Sequence, residues 1–173
     1  MKIVALMGPS GSGKTTTMKK LCSFLPNLYH PVMSYTDRPM REENEYGHIF
    51  ISSEEMQDTL KSAAVVAETQ IGEFFYCATE EQFREDKINL YIVDRIGLEE
   101  LKYYFLNKYP DTTDICVVLF DTVYSVSDEE RMSRDVDFLP NSFNFKVTDK
   151  LETDDDMMSI SYDIMLFFGG ENG

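Results

Sequence analysis

The chain has 173 residues, 43% of them hydrophobic, which suits one globular domain with a sizeable core and is too apolar for a disordered segment. Its formal net charge is −15, with 31 acidic against 16 basic residues, so the surface should repel nucleic acid and anionic membranes. No apolar run approaches membrane-spanning length, the N-terminus runs straight into a strand-like stretch, and Cys22, Cys77 and Cys116 lack metal spacing, which predicts a cytoplasmic protein with reduced thiols.

The first element is the apolar run IVALM (3–7), read as a buried strand. Directly behind it stands GPSGSGKTT (8–16), which fits G-x-x-x-x-G-K-[ST] with Gly8, Gly13, Lys14 and Thr15 at the fixed positions. Glycines let a backbone curl tightly enough to aim consecutive N–H groups at phosphate oxygens. Ser10, Gly11, Ser12 and Thr16 complete this loop. Lys14 would reach the β- and γ-phosphates of a nucleoside triphosphate, and the Thr15 hydroxyl would ligate Mg²⁺. A helix predicted over 14–25 turns its positive end toward the same anion. Strand, loop and helix in this order distinguish a phosphate loop from a flexible Gly/Ser connector.

Further apolar runs at 48–51, 63–68, 90–94, 115–120 and 144–147 read as strands, and 53–62, 79–87, 97–109, 127–138 and 154–168 as helices. Their alternation predicts an α/β P-loop fold of three layers, with a mostly parallel central sheet built from 1–28 and 79–168. The stretch 29–78 breaks the rhythm and predicts a small strand-rich lobe inserted after the first helix. The acidic run 154–156 reads as a solvated surface, and 169–173 as a frayed tail.

Within that lobe, SYTDRPMREENEYGHIFIS (34–52) places Arg38 and Arg41 three apart, with Ser34 four residues before the first. Two guanidinium forks and a hydroxyl suit a phosphate monoester dianion. Two solvated arginines would be the plainer reading, but positive charge is scarce in this chain and these follow a phosphate loop.

The order GPSGSGKTT, then S-x-T-x-R-P-x-R, then G-x-x-F-x-S resembles guanylate kinase and its relatives. The resemblance implies that the loop binds ATP with Mg²⁺, and that Ser34, Arg38 and Arg41 hold the phosphate of GMP, Arg38 with a catalytic share. Glu43 or Glu45 would stand for the acid that follows the second arginine. The loop up to Phe50 is shorter than usual, so the tyrosine that helps hold the GMP phosphate has no clear equivalent; Tyr46 and His48 are the candidates.

VVAETQIGEFFYCAT (65–79) resembles the family stretch ending in G-x-Y-Y-G-[ST]. It implies Glu68 as the carboxylate reading guanine's N1–H and N2–H₂ edge, and Tyr76 as a further phosphate ligand. Cys77 replaces a glycine, and Ala78 stands where a hydroxyl is expected, with Thr79 next. LYIVDRIG (90–97) resembles a strand ending in D-x-D-x-x-G, with Ile92 in place of the first acid and Asp94 as the second. Asp94 would orient Mg²⁺-bound water or the acceptor phosphate, or alternatively cap the following helix. The lid is reduced to 121–135, with Arg134 similar to the family arginine near the transferred phosphoryl group and Arg131 read as paired with Asp135.

The resemblance therefore implies an ATP-dependent nucleoside monophosphate kinase acting on GMP or dGMP, a monomer or homodimer whose partners are small nucleotides. Another deoxynucleotide or a ribosyl phosphate remains an alternative acceptor. A GTPase-like switch (Asp94-Arg95-Ile96-Gly97 forms D-x-x-G) and a non-catalytic binding domain on the same scaffold are the competing classes.

Overall fold

The computed structural model describes residues 1–62, 64–121 and 140–169. Its centre is β1 (Lys2–Met7), whose residues Ile3 to Met7 are all fully buried. A parallel sheet covered on both faces requires such an unbroken apolar strand. β1 pairs in parallel with β7 (Ile88–Ile92) on one side and β8 (Asp114–Phe120) on the other. β2 (Tyr29–Val32) and β9 (Phe145–Val147) add the two edges, giving the all-parallel order β2-β7-β1-β8-β9.

Alternate residues of β1 feed two cores, as the two-residue period of a strand dictates. Ile3, Ala5 and Met7 pack with Leu98, Leu101 and Phe105 of α3 (Arg95–Lys108). Val4 and Leu6 pack on the other face with Met18 and Leu21 of α1 (Lys14–Phe24) and with Met157, Ile160 and Ile164 of α4 (Asp154–Phe167). The acidic run 154–156, expected to be merely solvated, forms the first turn of α4, where negative charge complements the helix dipole. The Thr153 side chain accepts from Asp156 N, and the Asp156 carboxylate accepts from the Thr153 backbone N–H at 2.7 Å, closing a capping box.

A second sheet of order β4-β3-β6-β5 stands beside this core. It comprises β3 (Ser34–Thr36), β4 (His48–Phe50), β5 (Val65–Ile71) and β6 (Phe74–Thr79), with α2 (Ser53–Ser62) between β4 and β5. β5 and β6 form a hairpin around Gly72-Glu73, where Gly72 takes φ 64°. This sheet starts at Ser34 rather than at 29, because Tyr29–Val32 pairs with β7 in the core. Pro31 is tolerated there because β2 is an edge strand.

The helix expected over 79–87 is absent apart from a 3₁₀ turn at Glu80–Gln82. The cause is Asn89, fully buried on β7. Its Oδ1 accepts from Arg84 N at 2.8 Å, and its Nδ2 donates to Arg84 O at 2.8 Å and to Lys2 O at 3.0 Å. The backbone of Arg84 is thereby held in a loop, and the groups a helix would have paired are satisfied elsewhere. The helix expected over 127–138 lies outside the described residues. Among the described residues no helix is long and apolar enough to cross a membrane, and the three cysteines are free thiols.

Candidate active site

β1 delivers the phosphate loop to the edge of the sheet. Gly8 has φ 137°, and a Cβ there would lie 2.2 Å from the Phe120 carbonyl oxygen at the end of β8. Only glycine permits both that conformation and that approach. Gly13, at φ 92°, is the N-cap of α1 and brings no capping side chain, so the positive end of α1 opens on the loop. Lys14 bends over the loop, its Nζ donating to Gly8 O at 2.7 Å, Pro9 O at 2.6 Å and Ser12 Oγ at 3.3 Å. Thr15 and Thr16 are exposed on the first turn of α1. A Cβ on Gly47, from the loop leading into β4, would lie 3.4 Å from Thr15 Cγ2. An ammonium, helix-start N–H groups and an exposed hydroxyl are the donor set that fits a polyphosphate with Mg²⁺.

The second sheet faces this loop across a cavity of about 680 Å³. Gly8, Ser10 and Lys14 line one side, and Ser34, Arg38, Arg41, His48 and Tyr76 another. Ser34 sits opposite His48 in the β3–β4 register, and Ser34 Oγ lies 2.8 Å from His48 Nδ1. Arg38, only 5% exposed, donates through Nη1 to Glu45 Oε2 at 3.0 Å and to Pro39 O at 2.9 Å, while Nη2 donates to Glu45 Oε1. Its guanidinium also lies 5.0 Å from the Phe50 ring centroid. Glu45 Oε2 further accepts from Arg41 N at 2.9 Å. Of the two acids weighed from sequence, Glu45 is thus the one joined to both arginines.

These contacts fix the charge states. The hydrogen bonds from Arg38, reinforced by Arg41 N, pull Glu45 down to about 2. Burial, assisted by the Arg38 charge, pushes His48 down to about 4. Tyr46 is turned the other way: it packs with the core, with Lys19 Nζ 5.5 Å from its ring centroid. His48 is the one of the two candidates that reaches the cavity, with its ring edge-on to Tyr76 at 5.4 Å.

Asp94 lines the cavity and also caps α3, accepting from Gly97 N at 2.8 Å. Of the two roles weighed for it from sequence, the cap is formed. Glu68 is not brought to the cavity. It lines a separate groove on the α3 side with Glu99 and Glu100, and its backbone N–H donates to Glu100 Oε2 at 2.6 Å. The next residue along β5, Thr69, faces the cavity instead, as strand alternation requires. Ile71, Glu73 and Phe74 of the hairpin and Tyr91 of β7 extend the same wall, and sequence reasoning had not singled them out. Hairpin pairing reveals the first three, and the pairing of β7 with β1 the last. Arg134 and Arg131, with most of the reduced lid, lie outside the described residues.

The chain matches the family model described as guanylate kinase over residues 1–91. It is 32% identical over 109 residues to a guanylate kinase of Helicobacter hepaticus, a match covering 60% of this chain and 54% of that protein. The chain therefore spans about half the length of that relative. To a guanylate kinase of Campylobacter jejuni it is 27% identical over 164 residues, covering 79% of this chain and 78% of that one. The fold is that of a guanylate kinase crystal structure from Anaplasma phagocytophilum, with a TM-score of 0.60 at 12% identity over 95% of this chain and 85% of the other.

Proposed function

The chain belongs to the guanylate kinase family, and from that premise we propose that it transfers the γ-phosphoryl group of ATP to a nucleoside monophosphate, GMP or dGMP. The observation that carries this reading is one undivided cavity shared by the phosphate loop and by Ser34, Arg38 and Arg41. Two phosphate-binding sets facing one space suit a donor and an acceptor better than a single nucleotide.

Phosphoryl transfer asks little covalent chemistry of the protein; positioning and charge neutralisation dominate. The loop N–H groups and Lys14 bind the donor's phosphates, Lys14 exchanging its loop carbonyls for phosphate oxygens. Arg38, already aligned by Glu45, and Arg41 bind the acceptor phosphate, with Ser34 and Tyr76 in the same wall. Asp94 orients the acceptor side from the end of β7. Thr15 would hold Mg²⁺, which would supply charge shielding to the transferring phosphates. The hairpin wall, with Thr69 and Glu73 as its polar groups, faces the base. Glu68, on the far side of β5, has no such access.

Nucleotides as partners, residence in the cytoplasm and a monomeric or dimeric state complete the proposal. The net charge of −15 argues against nucleic acid as a partner. A GTPase-like switch is disfavoured because NKYPD (107–111) lacks the N-K-x-D spacing that reads guanine. A purely protein-binding module has no use for Lys14 and Thr15. A coupled ADP-release assay against GMP, dGMP, AMP and dTMP tests the reading: turnover with the guanine nucleotides supports it, and no turnover with any of the four removes it.

A further inference from the structure

We propose that His48 presents its Nε2–H to the phosphate of the bound monophosphate, and that Ser34 acts through His48 as the anchor that fixes the ring rather than as a direct ligand. This rests on the reading of the cavity as a monophosphate kinase site and reassigns one of its members.

The parallel register of β3 and β4 sets Ser34 directly opposite His48, and Oγ lies 2.8 Å from Nδ1. One ring nitrogen is therefore occupied. Nε2 has no hydrogen-bond partner among the described residues, and the ring lines the cavity next to Arg38 and Arg41. Two aromatic edges fix its plane: Tyr76 at 5.4 Å and 63°, and Phe50 at 6.1 Å and 75°. The charged groups around the ring are Arg38, Arg41 and Glu45, and Tyr76 is the titratable neighbour from β6.

With its pKa pushed down to about 4 by burial and by Arg38, the ring is neutral at pH 7 and carries one proton on two nitrogens. A phosphate dianion offers acceptors only. The complementary tautomer keeps the proton on Nε2, so Nδ1 must accept, and the Ser34 hydroxyl is the donor at that distance. The serine proton is then committed to the ring. The phosphate meets the imidazole N–H, flanked by two guanidinium groups.

Calorimetric titration with GMP tests this without requiring turnover, on wild type, His48→Phe, His48→Gln, His48→Asn, Ser34→Ala and the Ser34→Ala/His48→Phe double variant. Thermal midpoints report folding in each. Loss of one hydrogen bond to a charged group should weaken GMP binding about tenfold in His48→Phe. Gln, whose amide nitrogen reaches the Nε2 position, should recover most of the loss. Asn, which reaches only Nδ1, should not. The double variant should bind GMP no worse than His48→Phe alone, since a residue acting through another adds nothing once that other is gone. ATP affinity should be unchanged throughout. Additive losses in the double variant, or Gln binding no better than Phe, would overturn the clamp while leaving the kinase reading standing. Wild type failing to bind GMP at all would overturn both.

Discussion

Arg38 and Glu45 hold each other by both ends of the guanidinium fork, Nη1 donating to Oε2 at 3.0 Å and Nη2 to Oε1, with the arginine 5% and the glutamate 13% exposed. The fork is therefore set before any ligand arrives, and the two charges depend on each other. Removing one partner of a buried pair leaves the other uncompensated.

The first prediction concerns acid. Because Glu45 is held at about 2 in the folded state against an ordinary 4.5, its stabilising share is complete above pH 4.5 and fades as pH falls towards 2. Glu45→Gln should flatten that part of the acid unfolding curve. Glu80 serves as a reference in the same window: burial opposes its ionisation, but Lys108, Tyr109 and Tyr104 hold it at about 2. Its share should persist in the variant. Circular dichroism melts from pH 7 to 2 provide the comparison, and an unchanged curve would remove the Arg38–Glu45 pair as a source of stability.

Arg41 should separate binding from folding better than Arg38 does. It is exposed and lines the cavity, whereas Arg38 is buried. Arg41→Ala is expected to raise the monophosphate KM by about tenfold or more, with little change in thermal midpoint or in the KM for ATP. Equal damage to both substrates would move Arg41 to the donor side.

Lys14→Ala should reduce kcat by about a hundredfold or more while the fold survives, since the side chain bonds the loop's own oxygens. ADP release and a thermal melt on the same sample check both halves of the statement. Retention of wild-type turnover would remove the phosphate-loop assignment.

Gly8→Ala should be worse for folding than Lys14→Ala. The new methyl would meet the Phe120 carbonyl at 2.2 Å in a backbone conformation that L residues avoid. A loss of about 2 kcal/mol or more is expected from denaturant unfolding, together with loss of ATP binding. A stable variant with intact ATP affinity would mean that the loop and β8 can separate without consequence.

Base selection supplies the last prediction. Glu68→Gln should leave the preference among GMP, AMP and dTMP unaltered, because the side chain lines the groove on the α3 side. Glu73→Gln or Thr69→Val should reduce a guanine preference by about tenfold, the usual consequence of removing a hydrogen bond that a site was built to make. Ratios of kcat/KM across the nucleotides decide it, and a collapse of preference in Glu68→Gln would restore that residue as base reader.

The phosphate loop was legible because its chemistry is local: nine consecutive residues, from the end of β1 into the first turn of α1, carry all of it. The parallel core was legible for a related reason, as the apolar runs at 3–7, 90–93 and 115–120 have few other uses. What escaped the sequence depends on partners far along the chain. The strand Tyr29–Val32 is hidden by Pro31, tolerable only at an edge. The loop after β6 looks helical until Asn89 is seen to grip Arg84. Glu68 and Thr69 differ by one step, yet alternation sends them to opposite sides of β5. Family resemblance matched the residue type there and not the face.

The second sheet is made from one uninterrupted stretch, entering at Ser34 and leaving at Thr79, between two strands that are neighbours in the core. Most of the groups assigned here to the acceptor lie inside that stretch, and the phosphate loop lies wholly outside it. Exchanging the stretch is thus a single splice at two sites close together in space. Acceptor choice can drift in evolution, or be grafted by design, as a cassette whose seams are Gly47 against Thr15 and Val66, Ala67 and Ala78 against the core that β1 shares with α3.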